Sequence, residues 1–168
     1  MEGIFHRNRK RIDHHKFGMP IEFQYIDALN CLHTVGNGKV RLQEFLDYHR
    51  SINIPNPPAN LLVLSDYRGL DASDLTSADI EKIRINALGR TESKYESVNE
   101  AIVASETITF GLSRMYDGVI YSEKYDVNVF TDINEARKWL GLKPDNTPGQ
   151  DQESANPRSS HQPRQSGS

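Results

Sequence analysis

The chain has 168 residues, 26% of them charged and 36% hydrophobic, with one cysteine and a net charge of −3. This fits one water-soluble domain with a modest core, and no apolar run approaches the ~18 residues that a membrane helix needs. Residues 1–18 carry +3 and the tail from Lys143 carries zero, so the middle carries −6, a poor surface for nucleic acid because phosphate contacts need clustered Lys and Arg.

Three composition zones follow one another. The leader, residues 1–18, is basic and has no apolar stretch of the kind found in a secretory signal. Residues 19–142 alternate strand-like and helix-like patterns. Residues 143–168 are rich in Pro, Ser, Gln and Gly, cannot bury enough surface to offset ordering entropy, and are expected to be disordered, like the leader.

In the middle zone, Ile21, Phe23 and Tyr25 alternate at period 2 and predict a half-buried strand. Asp27 to Asn30 is a turn, and Cys31 to Val35 returns as a second strand that Gly36 and Gly38 should break. Leu42, Phe45, Leu46 and His49 mark one face of a first helix. Residues 61–67, LLVLSDY, are a short apolar run expected of a central strand covered on both faces.

Thr76 and Asp79 resemble a helix start, and Ile80, Ile83 and Ala87 supply the apolar stripe behind it. AIVAS, 101–105, predicts a fourth strand. Ile108, Leu112, Met115 and Val119 predict the buried face of a third helix, and DVNVF, 126–130, a fifth strand. The last helix opens on Asp132 with Glu135, buries Ile133, Ala136 and Leu140, and stops at Gly141 and Pro144. The order β-β-α-β-α-β-α-β-α predicts an α/β fold: a mostly parallel five-stranded sheet with one antiparallel edge strand and four helices.

Asp66-Tyr67-Arg68, the run Phe110-Gly111-Leu112-Ser113-Arg114-Met115-Tyr116, and the ending from Val129-Phe130 through Ala136 to Trp139-Leu140 resemble, in order and spacing, the SpoIIAA-like (STAS/SEC14-like) family of bacterial proteins. The resemblance covers residues 19–142, and Met19 sits where family members tend to begin. It implies the fold of anti-sigma-factor antagonists and transporter-associated STAS domains. It implies no particular activity, and a fold alone does not set a function.

Each candidate site also admits a purely structural role. Asp66 and Arg68 follow the third strand at its carboxyl end, where open parallel sheets tend to bind ligands. Arg68 and Arg114 could converge there on a carboxylate or phosphate, with Tyr116 nearby. The competing reading is an ion pair of Asp66 with either arginine. The resemblance implies a regulatory phosphoserine near Ser73, but Asp71 and Asp74 would repel a phosphate, and Ser73, Thr76 and Ser77 read equally as turn and capping residues. His6, His14 and His15 match no metal-site spacing. His49 reads as a satisfied boundary histidine, and Cys31 as a small buried strand residue with no neighbour to lower its pKa.

No nucleophile elbow, phosphate loop, dinucleotide fingerprint or zinc-protease motif occurs in the sequence, and no cofactor or metal is expected. The first functional reading is a non-enzymatic regulatory or protein-interaction domain, with a protein partner or a second copy of the chain. The alternative is a domain that binds a small anionic ligand or a lipid near Arg68 and Arg114. An enzyme comes third. The single cysteine and the missing signal fit the cytoplasm.

Overall fold

A computed structural model describes residues 19–91, 93–105, 107–119 and 122–144. The predicted architecture is present. A five-stranded sheet has the order β1-β2-β3-β4-β5, with β1 (Ile21–Ile26) antiparallel to β2 (Cys31–Lys39), and with β3 (Asn60–Asp71), β4 (Ser97–Val103) and β5 (Tyr125–Phe130) continuing in parallel. The helices are α1 (Leu42–Ser51), α2 (Ser77–Thr91), α3 (Thr107–Val119) and α4 (Ile133–Trp139). None of the described helices is long and apolar enough to cross a membrane.

The order of the strands determines where the helices lie. Each crossover from β2 to β5 moves to the next strand in the same direction. Crossovers of one hand therefore put α1, α2 and α3 on one face, and only α4, which follows the last strand, can cover the other. The packing agrees. Phe45 and Tyr48 of α1, Ile80, Ile83 and Ala87 of α2, and Tyr116 of α3 share a core with Tyr67, Ile102, Val127 and Val129 of the sheet. Ala136 and Leu140 of α4 pack against Cys31, Leu64, Ala101 and Val103 on the opposite face. Each fully buried Leu, Ile or Val in these layers contributes about 1.5–3 kcal/mol.

Local signals in the sequence work as expected at several ends. Asn30 closes the β1–β2 turn in the left-handed region at φ 49°. Asp132 caps α4 by accepting from the N–H groups of Asn134 (2.8 Å) and Glu135 (2.9 Å). Gly141, at φ 70°, ends that helix in a Schellman motif: its N–H donates to Lys138 and that of Leu142 to Arg137. Thr76 and Asp79 cap α2 reciprocally, Thr76 Oγ1 donating to the Asp79 carboxylate at 2.7 Å and the Asp79 N–H to Thr76 Oγ1 at 3.3 Å.

Four expectations need correction. The second strand does not break at Gly36 but runs to Lys39, with a register shift between Val35 and Asn37. Gly36 is there for space: a Cβ would lie 2.8 Å from Tyr67 and 2.9 Å from Leu70. The third strand extends through Arg68 to Asp71, so Arg68 is a strand residue rather than a loop residue. The fourth strand begins at Ser97 and takes in Glu100, while Ala104 and Ser105 lie beyond it. In α3 the described buried side chains are Thr109, Ser113 and Tyr116, with Leu112 and Met115 of the predicted stripe only partly buried; the side chains of Ile108 and Val119 lie outside the described ones. Thr109 is tolerated inside because its hydroxyl donates to the Leu70 carbonyl at 2.7 Å.

Candidate functional site

The carboxyl end of β3 holds the expected Asp66–Arg68 pair. Arg68 grips Asp66 with two guanidinium hydrogen bonds, Nε to Oδ1 at 2.9 Å and Nη2 to Oδ2 at 2.7 Å, and its own N–H adds a third at 3.3 Å. Burial alone would raise the Asp66 pKa, but the bonds and charge of Arg68 outweigh it and hold the carboxyl below its usual range. Ser105 Oγ donates to the Arg68 carbonyl at 3.0 Å, and Asp132 adds a further negative field to Arg68.

Arg114 stands on an exposed position of α3, two turns beyond its start. The sheet order β2-β3-β4-β5 has no reversal at β3, so it lacks the strand-order switch that opens a ligand crevice in doubly wound sheets. Asp66, Arg68 and Arg114 line neither of the two clefts described below, whereas Tyr116 lines one of them.

Ser73 is exposed in the turn before α2, its N–H held by Asp71 Oδ1 at 3.0 Å, while the neighbouring Asp74 pairs with Lys39 at 3.1 Å. Cys31 is buried on the α4 face, and burial pushes its thiol up to about 11, so it stays protonated at neutral pH. His49 bonds Asn86 of α2 through Nδ1 at 3.2 Å, and burial lowers its pKa to about 4. His6, His14 and His15 lie outside the described residues.

Sequence reasoning missed the polar group at the centre of the helix-covered face. The alternation Val98, Glu100, Ile102 on β4 turns Glu100 inward, leaving it 7% exposed. Both carboxylate oxygens accept hydrogen bonds from neutral hydroxyls: Ser65 Oγ on β3 at 2.8 Å and Tyr125 Oη on β5 at 2.6 Å. Tyr116 neighbours Tyr125, and Tyr67 neighbours both Ser65 and Tyr48 closely enough for hydrogen bonding. Tyr48 and Thr34 hydroxyls close the far end of the network at 2.8 Å. Burial raises the pKa of Glu100 against the opposing pull of its two hydroxyl donors, and raises those of Tyr48, Tyr67, Tyr116 and Tyr125 as well.

Glu100 and His49 are shared by two clefts between the sheet and the helices. The first, an empty volume of about 490 Å3 including solvent at its mouth, lies under α2 and α3, with Phe45, Tyr67, Thr109, Leu112, Ser113 and Tyr116 among its walls. The second, about 550 Å3 on the same measure, lies toward the amino ends of β3 and β4, with Tyr48, Val63, Arg90, Lys94, Tyr95 and Tyr125 among its walls. Apolar walls with a few convergent polar groups are the usual composition of a small-molecule site.

Compared with family models, with curated proteins and with solved structures, the chain finds no match.

Proposed function

We propose that the chain is a non-enzymatic binding domain of the SpoIIAA-like (STAS/SEC14-like) type, working in the cytoplasm, that takes a small molecule between its sheet and the α1–α3 layer. The observation that carries this reading is Glu100, a buried carboxyl shared by two clefts with hydroxyl groups on either side. A protein gains no stability from a carboxyl in this position, since a hydrophobic residue of similar size would avoid its desolvation cost. A binding role supplies a reason to keep it.

The polar side chains of the layer support binding over catalysis. His49 is turned to Asn86 rather than to a nucleophile, and both oxygens of Glu100 are occupied by hydroxyls. The Asp66–Arg68 pair has the stoichiometry of a structural ion pair, so the ligand site favoured here is the helix-side cleft rather than the end of β3.

The regulatory side of the proposal rests on α2. This helix supplies Ile80 and Ile83 to the first cleft and Ala87 and Arg90 to the second, while its outer face exposes Ile85 at 57%. Occupancy of a cleft would bias a surface that a protein partner or a second copy could read. Native mass spectrometry of the purified full chain tests both points. A retained small mass, lost in a Tyr116→Trp variant that fills the first cleft or in an Ala87→Phe variant that fills the second, is the expected result. A bare polypeptide mass after incubation with a broad metabolite extract would refute the binding reading.

A further inference from the structure

A buried carboxyl can be compensated in three ways: by a proton, by a cation of the protein, or by a cation that enters from outside. In this molecule the second is missing from one of the two clefts. Among the described residues, no Lys or Arg lines the first cleft. Arg90 and Lys94 line the second, where Arg90 donates to the Ile52 carbonyl at 3.2 Å. Arg84 of α2, whose field reaches Tyr116, is bound to Glu81 through both Nε and Nη2. His49 is neutral at physiological pH. The groups that face Glu100 itself are hydroxyls: Ser65 from β3 and Tyr125 from β5, with the rings of Tyr48, Tyr67 and Tyr116 in its electrostatic reach.

The first cleft thus brings together a buried carboxyl and aromatic rings, Phe45, Tyr67 and Tyr116, with no Lys or Arg among its described walls. Phe45 and Tyr67 are locked edge to face, ring centres 5.9 Å apart at 88°. Serine and threonine hydroxyls, Ser113 and Thr109, stand among the same walls, Thr109 already donating to Leu70. Aromatic rings around a carboxyl form the environment in which desolvated ammonium ions are held, by ring quadrupoles and one counter-charge.

We infer that the first cleft receives a small organic ammonium ion, a primary to quaternary alkylamine, with Glu100 as its counter-ion and Phe45, Tyr67 and Tyr116 as its aromatic walls. This rests on the binding-domain reading above and specifies its ligand class. Burial pushes the Glu100 carboxyl toward its protonated form, so a cation entering the cleft competes with a proton for the same group. Binding should therefore weaken as the pH falls.

The test is isothermal titration of the full chain with choline and with its neutral isostere, 3,3-dimethyl-1-butanol, at pH 7.5 and at pH 5.5. Choline is expected to bind about tenfold or more tightly than the alcohol at the higher pH and to lose part of that preference at the lower one. Glu100→Gln, isosteric and hydrogen-bond competent, should abolish the preference while far-UV circular dichroism stays unchanged. If that variant does not fold, Tyr116→Leu takes its place and should cost severalfold in choline affinity with little effect on the alcohol. Equal binding of the two probes, no binding of choline, or a preference that survives both variants would overturn the inference. A neutral guest retained in the mass spectrum would overturn it too, while leaving the binding-domain reading intact.

Discussion

Acidification should destabilise this fold through His49, and the size of the effect can be worked from its surroundings. The ring sits between α1 and α2, bonded to Asn86 at 3.2 Å and lining both clefts. Burial lowers its pKa from 6.5 to about 4; the Asn86 bond opposes this and the Arg90 charge adds to it. A base with a depressed folded pKa binds fewer protons in the native state than in the unfolded chain. Stability is then lost as pH falls from the unfolded value, about 6.5, toward the folded value, at a limiting slope of about 1.4 kcal/mol per pH unit. Over the whole window this comes to about 2–3 kcal/mol, allowing for the solvent that the residue still meets. Glu100 works with the opposite sign: burial raises its folded pKa, so its contribution improves as pH falls toward the unfolded carboxyl value. Comparing wild type with His49→Gln isolates the imidazole, because the amide still reaches Asn86 but does not titrate. Urea denaturation in steps from pH 7.5 to 4.5 should show the stability difference between the two proteins shifting in favour of the variant as pH falls. A difference that stays constant with pH, or an imidazole resonance titrating near 6.5, would refute the reasoning.

Other substitutions probe the remaining features. Gly36→Ala should cost about 1–3 kcal/mol in urea unfolding, because its Cβ meets Tyr67 at 2.8 Å and Leu70 at 2.9 Å; a neutral result would mean that the strand shifts to make room. Leu112→Ala should cost only about 1–2 kcal/mol, less than for a fully buried leucine, since the residue is half-buried at the edge of the first cleft. Arg68→Ala should cost about 1–2 kcal/mol, since Arg68 is exposed but the Asp66 carboxylate left without it is largely covered; a loss well above that would mean the end of β3 is held more tightly than this exposure implies. Ser73→Asp should move the thermal midpoint only slightly, because Ser73 is exposed and the Asp71 carboxylate that its hydroxyl and N–H both meet also stands in water.

The fold was largely legible because its signals are local and redundant. Alternation at Ile21, Phe23 and Tyr25, the apolar run at 61–64, and the Asp132 and Gly141 caps each state an element without knowledge of its neighbours. The strand order had no such local signal: the number of crossovers leaves it open, and the structure shows β1-β2-β3-β4-β5. Where expectations failed, a tertiary contact overrode a local one. Gly36 reads as a breaker, but Tyr67 and Leu70 need the space above it. The face of α3 was drawn through its largest apolar side chains, but Thr109 is admitted to the core by the Leu70 carbonyl and Ser113 is buried beside the first cleft. Glu100 was missed for a related reason. A strand placed at 101–105 excludes it, whereas extending the alternation back through Val98 would have put a carboxyl on the inner face of an interior strand. That conflict was the one signal in the sequence for the site.

Asp66 and Glu100, two of the carboxylates in this sheet, show why the more conspicuous motif is the weaker candidate. Asp66 lies beside a guanidinium that satisfies both its oxygens and its charge, and part of that pair faces water. Its chemistry is complete, and a ligand anion arriving there meets a guanidinium whose charge Asp66 already balances. Glu100 has its hydrogen bonds but not its charge: Ser65 and Tyr125 satisfy the oxygens, and neither supplies a positive field. Burial therefore raises its pKa and favours a proton, whose place a cation can take. A fold gains little from such a group, since local and global preferences agree best when core positions are apolar. Residues that break this agreement without relief from their own chain are where a function is to be sought. In this chain the break falls at Glu100, between two clefts.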